Sequence, residues 1–324
     1  MTFKHSVAAA AALTLAAGAA NAAAIIDNGT VQLGVDDFGQ LNISGGVASP
    51  VEGTTSVGLR HLATGNESTS HGCLCEGWGV GIADTGASGS ANNDFGVSNL
   101  VLDSFVSTAS TATSTTSLAS GELQIVHEFA PAAETPNLYR VSVSITNTSG
   151  VAINDLRYTR TFDWDIEPDT FDEFVSHFGT AAASTVLLAV DNGFVDSDPF
   201  AFRSEQVLGG TGDFVDLGPD DHGSNFDFGF GALGVDETFT FDIFYGAAAT
   251  EADADAALAA VAAEVASYGQ GSSDAAGETF IFAFADVGGE VIIPQPPSDV
   301  PLPAGAALML TGLAALGAAR RRKG

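Results

Sequence analysis

Apolar residues recur at every second position over long stretches of this chain, and that spacing suits half-buried strands and little else. Tyr139, Val141, Val143 and Ile145 alternate with Arg140, Ser142, Ser144 and Thr146. Val31, Leu33 and Val35 alternate with Gln32 and Gly34, after which Gly39 turns the chain toward Leu41 and Ile43. Leu123, Ile125 and His127 mark another strand. Asn147 to Gly150 makes a turn, and Leu156, Tyr158, Phe162 and Trp164 form the apolar side of the strand beyond it. Three ladders follow: Phe226, Phe228 and Phe230; then Phe239, Phe241, Ile243 and Tyr245; then Phe280, Phe282 and Phe284. Such ladders are what two facing sheets interdigitate.

One segment breaks the pattern. Thr250 is a good N-cap, Asp253 stands three residues on, and Ala-rich sequence continues to about Tyr268 before Gly269. This predicts a helix over about 250–268, with Leu258, Val261 and Val265 on the face that meets a sheet. Ser107 to Ser120, rich in Ser, Thr and Ala, reads as an exposed strand edge or a loop. No fixed-period repeat and no internal boundary stand out. The expected fold class is all-β: a large antiparallel β-sandwich over 24–293 with one peripheral α-helix. Two tandem sandwiches are the alternative. A signal-peptide helix and a C-terminal transmembrane helix are expected at the ends.

At the amino terminus, Lys4 and His5 precede an apolar run from Val7 to Ala20, and Ala20-Asn21-Ala22 has the small-x-small form that a signal peptidase cuts. This predicts a secretory signal over 1–23, with the mature chain beginning near Ala23. At the other end, 294–299 has linker composition. Val300-Pro301-Leu302-Pro303-Ala304 follows, then an uncharged run to Ala319, then Arg320, Arg321, Arg322 and Lys323. As a helix, 304–319 rises roughly 24 Å against a hydrocarbon core of ~30 Å, so it spans only marginally. The four cations would keep that end in the cytoplasm and everything upstream outside.

Motif, short span and basic end together resemble the VPLPA variant of the PEP-CTERM sorting signal, over about the last 25 residues. The Pro-Glu-Pro triplet of the parent pattern is absent. The resemblance implies an exported protein, held briefly in the membrane until an exosortase-type enzyme cuts beside the motif. Its implied partners are signal peptidase and that sorting enzyme, with delivery to the envelope or extracellular matrix.

The chain has 10 Lys+Arg against 40 Asp+Glu, and its two ends hold five of the cations and none of the acids. The body therefore carries Arg60, Arg140, Arg157, Arg160, Arg203 and no lysine. Such a surface repels nucleic acid and anionic membranes. It suits a salty medium, where ions screen self-repulsion.

Two segments draw attention as candidate sites. In His71-Gly72-Cys73-Leu74-Cys75-Glu76-Gly77-Trp78-Gly79, Cys73 and Cys75 are the only cysteines, and export takes them to an oxidising compartment. Three readings compete: a disulfide across a small ring, thiols that are free or paired with another chain, and a soft-metal site with His71. The glycines around Trp78 would let the backbone bend, and an exposed Trp78 could stack on a sugar; a core position is the competing fate. The second segment runs from Asp163 to Glu173. Asp163, Asp165, Glu167 and Asp169 are candidate calcium ligands, a hard ion wanting several oxygens, although the spacing is not that of an EF-hand. Paired carboxylates also serve glycoside hydrolysis, and a solvated acidic loop is the plainest reading. Arg160 shares a strand face with Tyr158, Phe162 and Trp164; if it enters the core, a carboxylate must lie within salt-bridge distance.

No nucleophile triad, phosphate loop, paired-His zinc motif or dinucleotide fingerprint occurs. The function expected is a non-catalytic surface or matrix protein that binds polysaccharide, neighbouring envelope proteins or calcium. The alternative is a carbohydrate-active enzyme on a large sandwich.

Overall fold

The computed structural model describes residues 23–272 and 276–292; the signal segment up to residue 22, the linker, the sorting motif and the apolar tail lie outside them. In chain order the elements are β1 (Ala23–Asp27), β2 (Val31–Asp36), β3 (Ile43–Ser44), β4 (Ser56–Val57), β5 (Leu59–His61), β6 (Gly77–Ile82) and β7 (Ala87–Asn92). Then come β8 (Gly96–Ser98), β9 (Leu100–Ser107), β10 (Ala112–Leu118), β11 (Leu123–Pro131), β12 (Leu138–Asn147), β13 (Ile153–Asp163) and β14 (Glu173–Phe178). The last are β15 (Val186–Val190), β16 (Phe214–Asp220), β17 (Gly223–Leu233), β18 (Thr238–Ala248), α1 (Glu251–Ala260), β19 (Val265–Gln270) and β20 (Thr279–Ala285). Among the described residues no helix is long and apolar enough to cross a membrane.

Two antiparallel sheets face each other. One has nine strands in the order β16-β14-β19-β20-β18-β12-β11-β10-β9, the other six in the order β15-β17-β13-β6-β7-β8. Smaller sheets, β1-β2-β5 and β3-β4, complete the fold. The predicted ladders meet between the large sheets. Phe162 stacks on Tyr245 and Phe282, and Phe226 and Phe228 meet Phe284 edge-on. Each such ring, fully buried, contributes roughly 1.5–3 kcal/mol relative to an exposed one. One contiguous apolar core runs from Ile26 to Val287.

The expected helix is shorter than the sequence suggests. Thr250 does cap it, accepting the Asp253 N–H, but the helix ends at Ala260. Ala262 turns left-handed at φ 53°, and Val265–Gln270 becomes a strand between β14 and β20. Ala and Val serve either state, so pairing with two distant strands decides. Leu258 and Val261 do pack under α1 on the outer face of the nine-stranded sheet, with Phe244, Tyr268 and Ile281. The Ser/Thr-rich segment is a turn at 108–111 followed by an internal strand: β10 lies between β9 and β11, and Ser114 and Thr116 are buried.

The glycines of β6 do not bend the chain. They lie in regular strand paired to β13 and β7. A Cβ on Gly79 would overlap the Ser197 carbonyl oxygen, and one on Gly81 would come within 2.7 Å of the Phe200 ring. The 191–213 connection lies against this outer face of the six-stranded sheet, and only glycine admits it.

Candidate functional site

Two connections cross between the large sheets at the same end of the sandwich. The chain leaves β13 in the six-stranded sheet, passes through 164–172, and enters β14 in the nine-stranded sheet. It returns later from β16 to β17 through Asp221 and His222. Asp163 stands opposite Gly223, and Glu173 opposite Asp220. Asp163, Asp165 and Asp221 are thereby brought together, with Glu173 near enough to repel Asp163 and Asp165. Carboxylate oxygens of Asp163, Asp165 and Asp221 all lie within 4.8 Å of one another.

This is no solvated loop. Asp163 is 1% exposed, and Asp165 and Glu173 are 0% exposed. Among the described residues, five buried carboxylate oxygens have no hydrogen-bond donor: Oδ1 of Asp163, both oxygens of Asp165, Oε2 of Glu173 and Oδ1 of Asp221. All five belong to this cluster. Glu173 uses its other oxygen to accept the N–H groups of Phe171 at 2.6 Å and Ile166 at 3.1 Å. Phe171 holds φ 73°, a region that a bulky residue rarely enters, and that turn aims its N–H at Glu173.

Burial dominates the electrostatics. It drives the Asp163 carboxyl well above the usual range, with Asp165, Asp221 and Glu173 adding repulsion. Asp165 is pushed up to about 8 by burial, then by Glu173 and Asp221. Glu173 is pushed up to about 8 by burial against the pull of its backbone donors. Asp221 is raised by burial and by Asp220. No arginine is among the causes for any of the four. Without a cation, the cluster lowers its charge by holding protons.

The loop before β6 closes over the cluster. A Cβ on Gly72 would stand 3.3 Å from both Asp165 oxygens and 3.0 Å from the Phe171 ring, so the backbone itself lies against the carboxylate. Cys73 and Cys75 are disulfide-bonded, with Cα atoms 5.1 Å apart. The Cys73 Sγ lies 3.2 Å from Oδ2 of Asp163. A disulfide sulfur has no proton, so that contact is a hydrogen bond only when Asp163 supplies one. The readings as free thiols and as a soft-metal site fall with the disulfide. The third supposed ligand, His71, turns its two ring nitrogens to Glu52 and Glu167, each at 3.2 Å.

The four predicted calcium ligands do not converge. Asp163 and Asp165 do. Glu167 is occupied elsewhere: it accepts the Ser49 hydroxyl, the Glu52 N–H at 3.2 Å and the Glu67 N–H at 3.0 Å. Asp169 is exposed, and with Glu167, Asn66 and Glu278 it lines an open pocket of ≈ 190 Å³. The register breaks after β13, so spacing along the segment says nothing about which acids meet. Glu173 ends the acidic segment but was not among the candidate ligands, and Asp221 arrives from the connection between β16 and β17.

Trp78 is fully buried, donates its ring N–H to the Phe38 carbonyl at 2.8 Å, and has no face for a sugar. It sits across from Arg160 in the β6–β13 pair. Arg160 is 0% exposed and meets Glu76, Nε to Oε1 at 2.6 Å, under the Tyr245 ring. The expected carboxylate is thus present. Glu76 also accepts the Leu41 N–H and the Tyr245 hydroxyl.

No protein-family model matches the chain, and no curated protein matches it. Among solved structures, the chain is similar to a galactose mutarotase related enzyme from Lactobacillus acidophilus, at 9% identity over 81% of this chain and 85% of that one. The TM-score is 0.30, too low to bear on the chemistry of either site.

Proposed function

We propose that the chain is an exported, non-catalytic envelope or extracellular-matrix protein that meets polysaccharide or neighbouring proteins through an anionic surface. The fate of its positive charges carries this reading. All five body arginines are ion-paired within the fold: Arg60 with Glu67, Arg140 with Glu134 and Asp242, Arg157 with Asp155, Arg160 with Glu76, and Arg203 with Asp227. With no lysine in the body, the acids that do reach the surface, Asp84, Asp94, Glu128, Asp169 and Asp172 among them, face outward with no spare body cation to oppose them. Such a surface attracts basic segments and counter-ions and repels nucleic acid. Trp78 and Trp164 are buried and offer no face to a sugar, so any contact with polysaccharide rests on the acidic surface. The signal segment and the VPLPA-type tail supply the route out of the cell.

The test uses the full chain in a host that carries an exosortase-type enzyme. Replacing Val300–Ala304 is expected to leave the protein in the membrane fraction, whereas the unaltered chain leaves it. The purified protein is expected to retain neutral or amino-bearing polysaccharide on a glycan array without generating reducing ends. Membrane retention unaffected by the motif would overturn the sorting, and steady release of reducing ends would overturn the non-catalytic role.

A further inference from the structure

We propose that Asp163, Asp165 and Asp221, with the orphaned Oε2 of Glu173 turning in as a further ligand, form a buried calcium site that ties the two sheets together at one end of the sandwich. The site does not depend on where the protein is delivered.

The observation behind it is the set of orphaned oxygens. Asp165 is 0% exposed, and neither of its oxygens has a donor. An ionised carboxylate in that position is costly unless a cation or a proton meets it. Three more oxygens, from Asp163, Glu173 and Asp221, are orphaned around it. Elsewhere among the described residues the buried acids are satisfied by the fold. Glu76 has Arg160, Leu41 and Tyr245. Glu67 has Arg60 and three backbone N–H groups. Asp191 has His222 and the N–H groups of Gln206 and Val207. Among the described residues, the buried carboxylate oxygens left without a donor all belong to this cluster, and Asp165 has none for either oxygen.

The chemistry selects the ion. The orphaned atoms of the four carboxylates are hard oxygens, and the orphaned Nε2 of the neighbouring His222 is not in the Asp163, Asp165 and Asp221 group. That set suits calcium and leaves zinc without its nitrogen and sulfur ligands. Calcium–oxygen bonds run about 2.3–2.6 Å, so two ligands of one ion lie no more than roughly 5 Å apart. The 4.8 Å limit on the Asp163, Asp165 and Asp221 oxygens meets that condition. Calcium also tolerates an irregular shell, whereas magnesium demands an octahedron and keeps its waters. The ligands come from both crossovers, so a bound ion would fasten β13 and β17 to β14 and β16.

The experiment is a calorimetric titration of chelator-treated, purified full chain with calcium chloride, with melting temperature read in parallel. One calcium per chain is expected, together with a higher melting temperature. Asp165→Asn is expected to abolish binding, and Glu173→Gln and Asp221→Asn to weaken it at least tenfold. Asp169→Asn, outside the cluster, is expected to bind as the unaltered chain does. If Asp165→Asn fails to fold, the Glu173→Gln and Asp221→Asn titrations decide alone. The proposal is overturned by the absence of saturable calcium binding, by binding that survives both of those variants, or by magnesium binding as tightly as calcium. Zinc binding that displaces calcium and disappears in Cys73→Ser would likewise overturn it.

Discussion

Arg160 shows how a single buried charge is handled. Its guanidinium and Glu76 are both withdrawn from water, so neither can lose the other without leaving an uncompensated charge. Glu76→Gln is expected to destabilise the protein by about 3–5 kcal/mol in urea unfolding. Arg157, paired with Asp155 where both side chains are partly exposed on the same strand, is a contrast. Arg157→Gln is expected to cost under about 1 kcal/mol, because water and salt already screen that pair. Equal losses from the two substitutions would contradict the difference in burial. The need for a carboxylate beside Arg160 was legible from three apolar neighbours on one strand face. Its identity was not, because Glu76 stands 84 residues away.

At the scale of an element, β6 and the 191–213 connection illustrate what a glycine run can mean. Gly77, Gly79 and Gly81 alternate along β6 on the side opposite Trp78 and Val80, and they admit the chain at Ser197 to Phe200 against the sheet. Gly79→Ala is expected to lift that segment and expose it to limited proteolysis between 191 and 213, with the core strands still protected. Cleavage no faster than in the unaltered protein would show that the contact is dispensable. Strand existence was readable for β2, β11, β12, β13, β17, β18 and β20, since their own side chains alternate. The end of α1 and the whole of β19 were not. A run of Ala and Val is equally content as helix or strand, and the choice lies with β14 and β20.

For the whole molecule, the consequence of the acidic cluster is an inverted pH dependence. Asp163, Asp165, Glu173 and Asp221 face one another, with Asp220, Glu52 and His222 around them. Without metal, the folded protein keeps protons up to about 8 that the unfolded chain releases near its ordinary carboxyl range. Stability from these groups is therefore full at pH below about 4 and falls as pH rises toward 8. In chelator, the melting temperature is expected to be lower at pH 8 than at pH 5.5, and calcium is expected to restore most of the difference at pH 8. A metal-free melting temperature that rises over that interval would contradict the burial of these acids.

Read alone, the sequence settles the period of the strands, the aromatic interior, the start of α1 and the lysine-free charge of the body. These are local or additive properties, and no partner is needed to know them. Only the tertiary structure decides which acids meet. Asp163 and Asp165 were in view, but Glu167 turns to Ser49 and the Glu67 backbone, and Asp169 turns to water. Glu173 and Asp221 take their places because two crossovers between sheets end at the same point. The distance between residues in space is set there by strand pairing across both sheets, and spacing along the chain carries no record of it.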